Sequence, residues 1–220
     1  KAKKYGAKTK NIDVIYSSLD FELLKKYEKT IFTTHKPFRF LSVGRFHWVK
    51  GYQYSISAIA NLKKINKEIH YSIITSNSIS EEILYQIDDL SLNNNVKIIH
   101  SKCQEGVYEM MSESDCLILP SVQEGISNVV LESMYIGLPV VTSDCGGMKE
   151  VINYGENGFY FSVRNLDDLE KQLLKVMNLT VNQRVKIIEE GKKYINSNLD
   201  PNTIKSEFYI LYKKTMGMEY

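Results

Sequence analysis

Only three cysteines occur in the 220 residues, Cys103, Cys116 and Cys145. They are widely spaced and none forms a C-x-x-C pair, so neither a thiolate zinc site nor a disulfide framework is expected. They read as reduced thiols of a cytosolic protein. No apolar run approaches the about 20 residues that a membrane helix needs. The basic start, KAKKYGAKTK, is followed by no apolar segment, so no signal peptide is expected. Charge of neither sign dominates: 28 Lys and Arg stand against 26 Asp and Glu, a net of +2. That excludes the strongly basic surface by which nucleic-acid binders are recognised. The order G-x4-G-K-[ST] is missing, and no G-x-G-x-x-G follows a strand-like run. A P-loop and a dehydrogenase-type dinucleotide site are both unlooked for. Four histidines, His35, His47, His70 and His100, are scattered without ligand spacing. Structural or surface roles are expected of them, and no metal. No repeat of fixed period and no low-complexity segment is present.

What remains is an ordinary globular composition, 43% hydrophobic and 25% charged. A chain of this length buries about 70–75% of its unfolded surface and needs no staple. Residues 1–34 read as an interdomain or linker segment of a truncated N-terminal region. Within it DVIYSSLDF is strand-like, turning at Ser17-Ser18, and FELLKKYEK is a short amphipathic helix. From residue 35 to 200 short apolar strands alternate with helical patterns. RFLSVG, HYSIIT, VKIIH, CLIL, LPVV and GFYF are the strands. YQYSISAIANLKKI, SEEILYQIDDL and NLDDLEKQLLKVM carry apolar residues on one helical face. Ser80 and Asn165 stand as N-caps of the latter two. Further helical patterns follow around residues 181–196 and 203–214, the last a C-terminal helix within 201–220. This alternation predicts an α/β fold, a Rossmann-like parallel sheet with helices on both faces. Right-handed crossovers then bring the strand-to-helix loops to the carboxyl edge, where ligands bind in such sheets.

The stretch 120–150, PSVQEGISNVVLESMYIGLPVVTSDCGGMKE, organises that edge. It reads strand end, loop, helix, strand, loop, helix. Gly125 permits close approach of backbone to a ligand and an unusual conformation. Ser127, or Asn128 one residue later, is placed to cap the helix. The free N–H groups of the first turn, with the helix dipole, make an anion site suited to a diphosphate; an ordinary capped helix is the plain alternative. Arg45 and Lys50 lie in the loop after the first strand. Arg suits a phosphate bidentately and Lys as a point charge, against the alternative of two solvated cations. As carboxylates that accept from sugar hydroxyls, Glu132 could hold a ribose diol and Glu124 a hexose hydroxyl. Glu132 is equally explained as a glutamate favoured by the helix dipole, and Glu124 as a loop carboxylate in water. Trp48, between the two cations, is expected to pack the loop rather than stack a base.

These residues resemble the signature region of the retaining family 4 glycosyltransferases of the GT-B fold. EGISNVVLESMYIGLPVVTSDCGGMKEVI is similar to their Glu-x7-Glu region, which maps onto Glu124 and Glu132. SVGRFHWVKGYQYSISAIANL is similar to their G-R-x4-K-G segment, which maps onto Arg45 and Lys50. The resemblance covers about residues 14–177. Three places depart from the family pattern: Ser17-Ser18-Leu19-Asp20, Thr75-Ser76-Asn77-Ser78 and Ser127-Asn128.

The resemblance implies the C-terminal, nucleotide-sugar-binding half of a two-domain enzyme. Arg45 and Lys50 would hold the donor diphosphate, with the backbone at Gly125, Ile126, Ser127, Asn128 and Val129. Glu132 would hold the ribose and Glu124, as the catalytic residue, the donor sugar. Residues 101–107 would pack on the base. No cofactor or metal is implied beyond the nucleotide diphosphate sugar itself. The acceptor, a glycan or a lipid-linked saccharide, would bind through an N-terminal domain outside these residues, so the chain alone would transfer no sugar. Surface polysaccharide synthesis in the cytoplasm is the implied setting. The basic start and Lys-rich end suit peripheral association with the inner face of a membrane, or are ordinary solvated charge. Two other readings compete: a sugar-nucleotide epimerase of similar fold and an inactive nucleotide-sugar-binding module. The epimerase needs an acid/base constellation that the scattered histidines do not supply.

Overall fold

The computed structural model describes residues 15–65, 67–100 and 103–217. Its elements, in chain order, are α1 (Phe21–Lys25), β1 (Phe38–Val43), a single 3-10 turn (Trp48–Lys50), α2 (Tyr52–Lys64), β2 (Ile69–Thr75) and α3 (Glu81–Asp89). There follow β3 (Val96–His100), α4 (Gln104–Glu113), β4 (Cys116–Leu119), α5 (Asn128–Ile136), β5 (Val140–Ser143) and α6 (Met148–Val151). The chain ends with β6 (Phe159–Phe161), α7 (Leu166–Met177), α8 (Val181–Asn198) and α9 (Pro201–Met216).

The six strands form one sheet in the order β3-β2-β1-β4-β5-β6, and every pairing is parallel. The apolar strand runs predict this: a strand covered on both faces has no polar side to alternate. β4 and β5 are buried at every position. Side chains of α2, α3 and α7 fill one face of the sheet. Those of α1, α4, α5 and α6 fill the other, and α8 reaches both, with Ile187 on the first side and Ile195 on the second. The Rossmann-like expectation therefore holds, strand for strand.

Local chemistry sets the ends. Asn165 caps α7, its side chain accepting from Asp168 N, and Thr180 with Gln183 forms a capping box on α8. Ser80 holds the N-cap position of α3 in extended conformation but makes no capping bond, contrary to expectation. The strand expected over residues 13–21 is also absent where it can be judged. Residues 13 and 14 lie outside the described residues, and residues 15–20 pair with no strand. Asp20 instead turns the chain into α1 by accepting from Leu23 N at 3.0 Å. This leading segment is tied down by Lys29 N donating to Ile136 O at 2.8 Å and by a Lys192–Glu28 ion pair at 2.7 Å.

The amino edge of the sheet carries a buried polar cluster. Asp115 accepts from Arg39 N and contacts the His35 ring at 2.9 Å. Buried Arg184 donates to the carbonyls of Asp115 and Val176. Lys29 donates to Ser114 O, and burial pulls its pKa down to about 8 against the pull of Asp115. These groups stabilise one another in a low-dielectric setting where each alone would be costly. None of them reaches the carboxyl edge. Cys116 and Cys145 are buried and Cys103 exposed, and none of them is in a disulfide. No helix of the described residues is long and apolar enough to cross a membrane.

Candidate functional site

β1 and β4 are neighbours in the sheet, Phe40 beside Cys116 and Leu41 beside Leu117, although 72 residues, 44–115, run between Val43 and Cys116. The chain leaves β1 for α2 on one face and β4 for α5 on the other. The two connections leave for opposite faces, and the junction between their loops lies at the carboxyl edge, the place where open α/β sheets bind ligands.

Three loops lock together around it by backbone contact. Val122 N donates to Val49 O at 2.7 Å. Gly51 has φ +66°, and a Cβ there would meet Pro120 O at 2.1 Å. Gly146 has φ +60°, and a Cβ there would lie 1.7 Å from Glu124 O. Gly147 N donates to Gly125 O at 2.9 Å. Only glycine combines left-handed backbone with so close an approach. The expectation for Gly125 is corrected here. Its φ is not positive, and a Cβ on it would meet nothing within 4 Å. The glycine requirement sits across the contact, at Gly146, and Gly125 presents open backbone to the crevice.

Lys50, at the end of the 3-10 turn, reaches Glu124 across this junction. Its Nζ lies 2.7 Å from Glu124 Oε2, with the side chains 23% and 20% exposed. Ser121 Oγ also donates to Glu124 Oε2, at 3.2 Å. Two motif residues 74 positions apart thus form one partly desolvated pair. Arg45, in the same loop as Lys50, is exposed and has no ion-pair or hydrogen-bond partner among the described residues. Asn77 fixes the backbone next to it, accepting from Phe46 N at 2.7 Å and donating to Phe46 O at 3.1 Å. The departure from the family pattern at residues 75–78 therefore serves as a clamp on the β1 loop.

Ser127 stands at the N-cap of α5 with extended backbone, but its side chain makes no capping bond. It is buried, 6% exposed, and does not supply the cap expected of it. The first-turn N–H groups, including those of Asn128 and Val129, are therefore not taken by a cap side chain. With the helix dipole they favour an anion. Ile126 packs beneath, against the Gly147 position.

Glu132 lies one turn further along α5. Its Oε1 accepts from Tyr108 OH at 2.9 Å, with Gln104 Nε2 at 3.5 Å. Burial pushes the Glu132 pKa up, and the two hydrogen bonds pull it back. The phenol of Tyr108 is pushed up in turn by burial and by the Glu132 charge. Glu124 and Glu132 thus have different partners: a cation for one, a phenol and an amide for the other. Sequence reasoning missed Tyr108, Gln104, Ser121 and Asn77. The spacing of Gln104 and Tyr108, four apart on one helix, was the only signal for the first two. Ser101 and Lys102, in the segment assigned to the base, lie outside the described residues. Trp48 corrects another expectation. It is 62% exposed rather than packed into its loop, because the 3-10 turn aims Lys50 inward and the ring outward. Among the described residues, no three of His, Cys, Asp and Glu converge as a metal site.

Against this geometry stand the likenesses to known proteins. The model of the family described as glycosyl transferases group 1 matches residues 25–194. The amylovoran biosynthesis glycosyltransferase AmsK of Erwinia amylovora is 34% identical over 131 residues, which cover 57% of this chain and 32% of AmsK. The putative colanic acid biosynthesis glycosyltransferase WcaL of Escherichia coli is 23% identical over 177 residues, 78% of this chain and 44% of WcaL. Among solved structures, that of Anabaena HepE in complex with UDP has a TM-score of 0.84 at 20% identity. It covers 96% of this chain and 60% of HepE. A glycosyltransferase from Rickettsia africae has a TM-score of 0.87 at 19% identity, over 96% of this chain and 59% of its own. At such identities the structures speak for the fold alone. The chain spans less than half the length of these two curated relatives.

Proposed function

The chain belongs to the glycosyl transferases group 1 family, and from that premise we propose that it is the donor-binding part of a retaining, family 4 type glycosyltransferase. It takes a nucleotide diphosphate hexose and serves transfer to a glycan or lipid-linked acceptor in surface polysaccharide synthesis. AmsK and WcaL carry polysaccharide synthesis in their names, and HepE was solved with UDP; both facts support the reading. The observation that carries it is the Lys50–Glu124 pair, 2.7 Å apart, beside the uncapped start of α5.

The chemistry then runs as follows. The bond from the anomeric carbon to the diphosphate breaks, and negative charge collects on the leaving phosphate. Arg45, Lys50 and the N–H groups of Ile126, Ser127, Asn128 and Val129 meet that charge, which is the larger electrostatic task of the step. Glu132 accepts from the ribose hydroxyls, exchanging its contacts with Tyr108 and Gln104 for them. Glu124 accepts from a sugar hydroxyl and holds Lys50 in place until the diphosphate shares it. The departing phosphate takes the proton of the acceptor hydroxyl, and attack on the face the phosphate leaves retains the anomeric configuration. The step as drawn needs no metal ion and no cofactor. Peripheral attachment to a membrane remains part of the proposal where the acceptor is lipid-linked.

The test is the stereochemistry. The full-length enzyme is supplied with a panel of UDP-, GDP- and ADP-hexoses of α configuration, and the product is read by NMR. An α-linked product is expected. A β-linked product would contradict the retaining step, and hydride- or epimer-type products would replace the transferase reading.

A further inference from the structure

A second cavity opens at the same edge, between the 3-10 turn and the start of α3, with a volume of about 520 Å³. Trp48 and His47 stand on one side of it, their ring centroids 5.8 Å apart and tilted by 34°. Gln53, Ser80, Glu82 and Gln86 stand on the others. Gln86 is fixed: its Nε2 donates to Gln53 O and to Ser57 Oγ, both at 3.0 Å. That leaves its amide oxygen as a positioned acceptor. The side chains of Gln53 and Glu82 have no hydrogen-bond or ion-pair partner among the described residues, and the Ser80 hydroxyl is not spent on capping α3.

From these features we propose that the cavity is a pyranose-binding subsite that holds an outer sugar ring of a glycan acceptor, one beyond the reacting end that the N-terminal domain would carry. An exposed indole offers a flat apolar face to the C–H face of a sugar ring, and an amide, a carboxylate and a hydroxyl offer partners to its hydroxyl groups. No Lys or Arg lines the cavity and Glu82 does, so phosphate is disfavoured and a neutral polyhydroxyl ring is favoured. The position separates this ring from the donor. In a 3-10 turn successive residues are rotated by about 120°. Lys50 points to Glu124, so Trp48, two residues earlier, faces the other side, toward α3. The subsite adjoins the donor crevice without sharing its charged groups. Its assignment to the acceptor rests on the transferase reading; the binding of a sugar ring does not.

Trp48 is the single tryptophan of the chain, so its fluorescence reports on this cavity directly. The chain is titrated with methyl glucoside, methyl galactoside, methyl mannoside and N-acetylglucosamine, with and without saturating UDP. At least one pyranoside is expected to shift the emission saturably, with the same midpoint in both conditions. Joint Gln53→Ala and Glu82→Ala substitution, Gln53 half-buried and Glu82 exposed, is expected to weaken that binding by about tenfold. In saturation-transfer NMR, Trp48→Phe retains the sugar contact and Trp48→Ala loses it. A flat response to all four sugars, displacement of the sugar by UDP, or a stronger shift with uridine or adenosine would each overturn the subsite. UDP heat measured on the same sample separates the two readings. Heat without a sugar shift sinks the subsite and leaves the donor site. A sugar shift without heat leaves the subsite and sinks the donor site.

Discussion

Glu132 shows two demands meeting on one carboxylate. In the proposed donor site a ribose needs it ionised and reachable, while its place in the second turn of α5 partly buries it. The fold holds it with the Tyr108 hydroxyl at 2.9 Å, and burial still raises its pKa. The folded chain therefore binds this proton more tightly than the unfolded chain does. Stability falls as pH rises from the ordinary carboxylate range through the raised value, and the full penalty is present above it. Glu132→Gln keeps an acceptor for Tyr108 and removes the charge. It is expected to raise the stability read by urea unfolding at pH 7 by up to about 1 kcal/mol, and to give a smaller gain as the pH is lowered into the ordinary carboxylate range. An equal gain across that pH range would assign the effect to packing instead. Residues of this kind divide what the sequence disclosed. Arg45, Lys50, Glu124 and Glu132 were legible because charged residues at fixed spacing beside glycines mark an edge loop. Tyr108 and Gln104 were not, since on the sequence they are ordinary residues of an amphipathic helix. Trp48 was misjudged because most tryptophans are well covered, and only the direction of one short turn leaves this ring in solvent.

At the scale of elements, the strands were legible from short apolar runs bounded by turn residues, and all six begin and end within two residues of the reading. The segment 15–20 was not, since its apolar residues pack against the sheet's helices without joining the sheet. Of the glycines only Gly125 stood out in the sequence, and the structure gives the constrained role to others. Gly51 and Gly146 let three loops meet backbone to backbone, while Gly125 is under no such constraint. Gly146→Ala sets a Cβ against the Glu124 carbonyl at a left-handed φ. A loss of about 2–4 kcal/mol in urea unfolding is expected. Gly125→Ala is expected to stay within about 0.5 kcal/mol. Equal losses would mean that the junction is not what holds the 124–126 loop.

For the whole molecule, the parallel order β3-β2-β1-β4-β5-β6 sends the chain to opposite faces from β1 and β4. It thereby brings residues 74 positions apart into contact. Strand alternation predicts the sheet, but the adjacency of its first and fourth strands follows from the packing of helices on both faces, which no local pattern states. That adjacency makes a charged crevice from loops that would otherwise be ordinary. The account therefore stands on the diphosphate being held where the loops meet. Calorimetry of the chain with UDP, GDP and ADP, each against its nucleoside, tests this most directly. At least one diphosphate is expected to bind tighter than its nucleoside, and Lys50→Ala to reduce that advantage by about tenfold or more, the loss of a charge-assisted contact. Equal affinity for nucleoside and diphosphate, or an advantage that Lys50→Ala leaves intact, would contradict it.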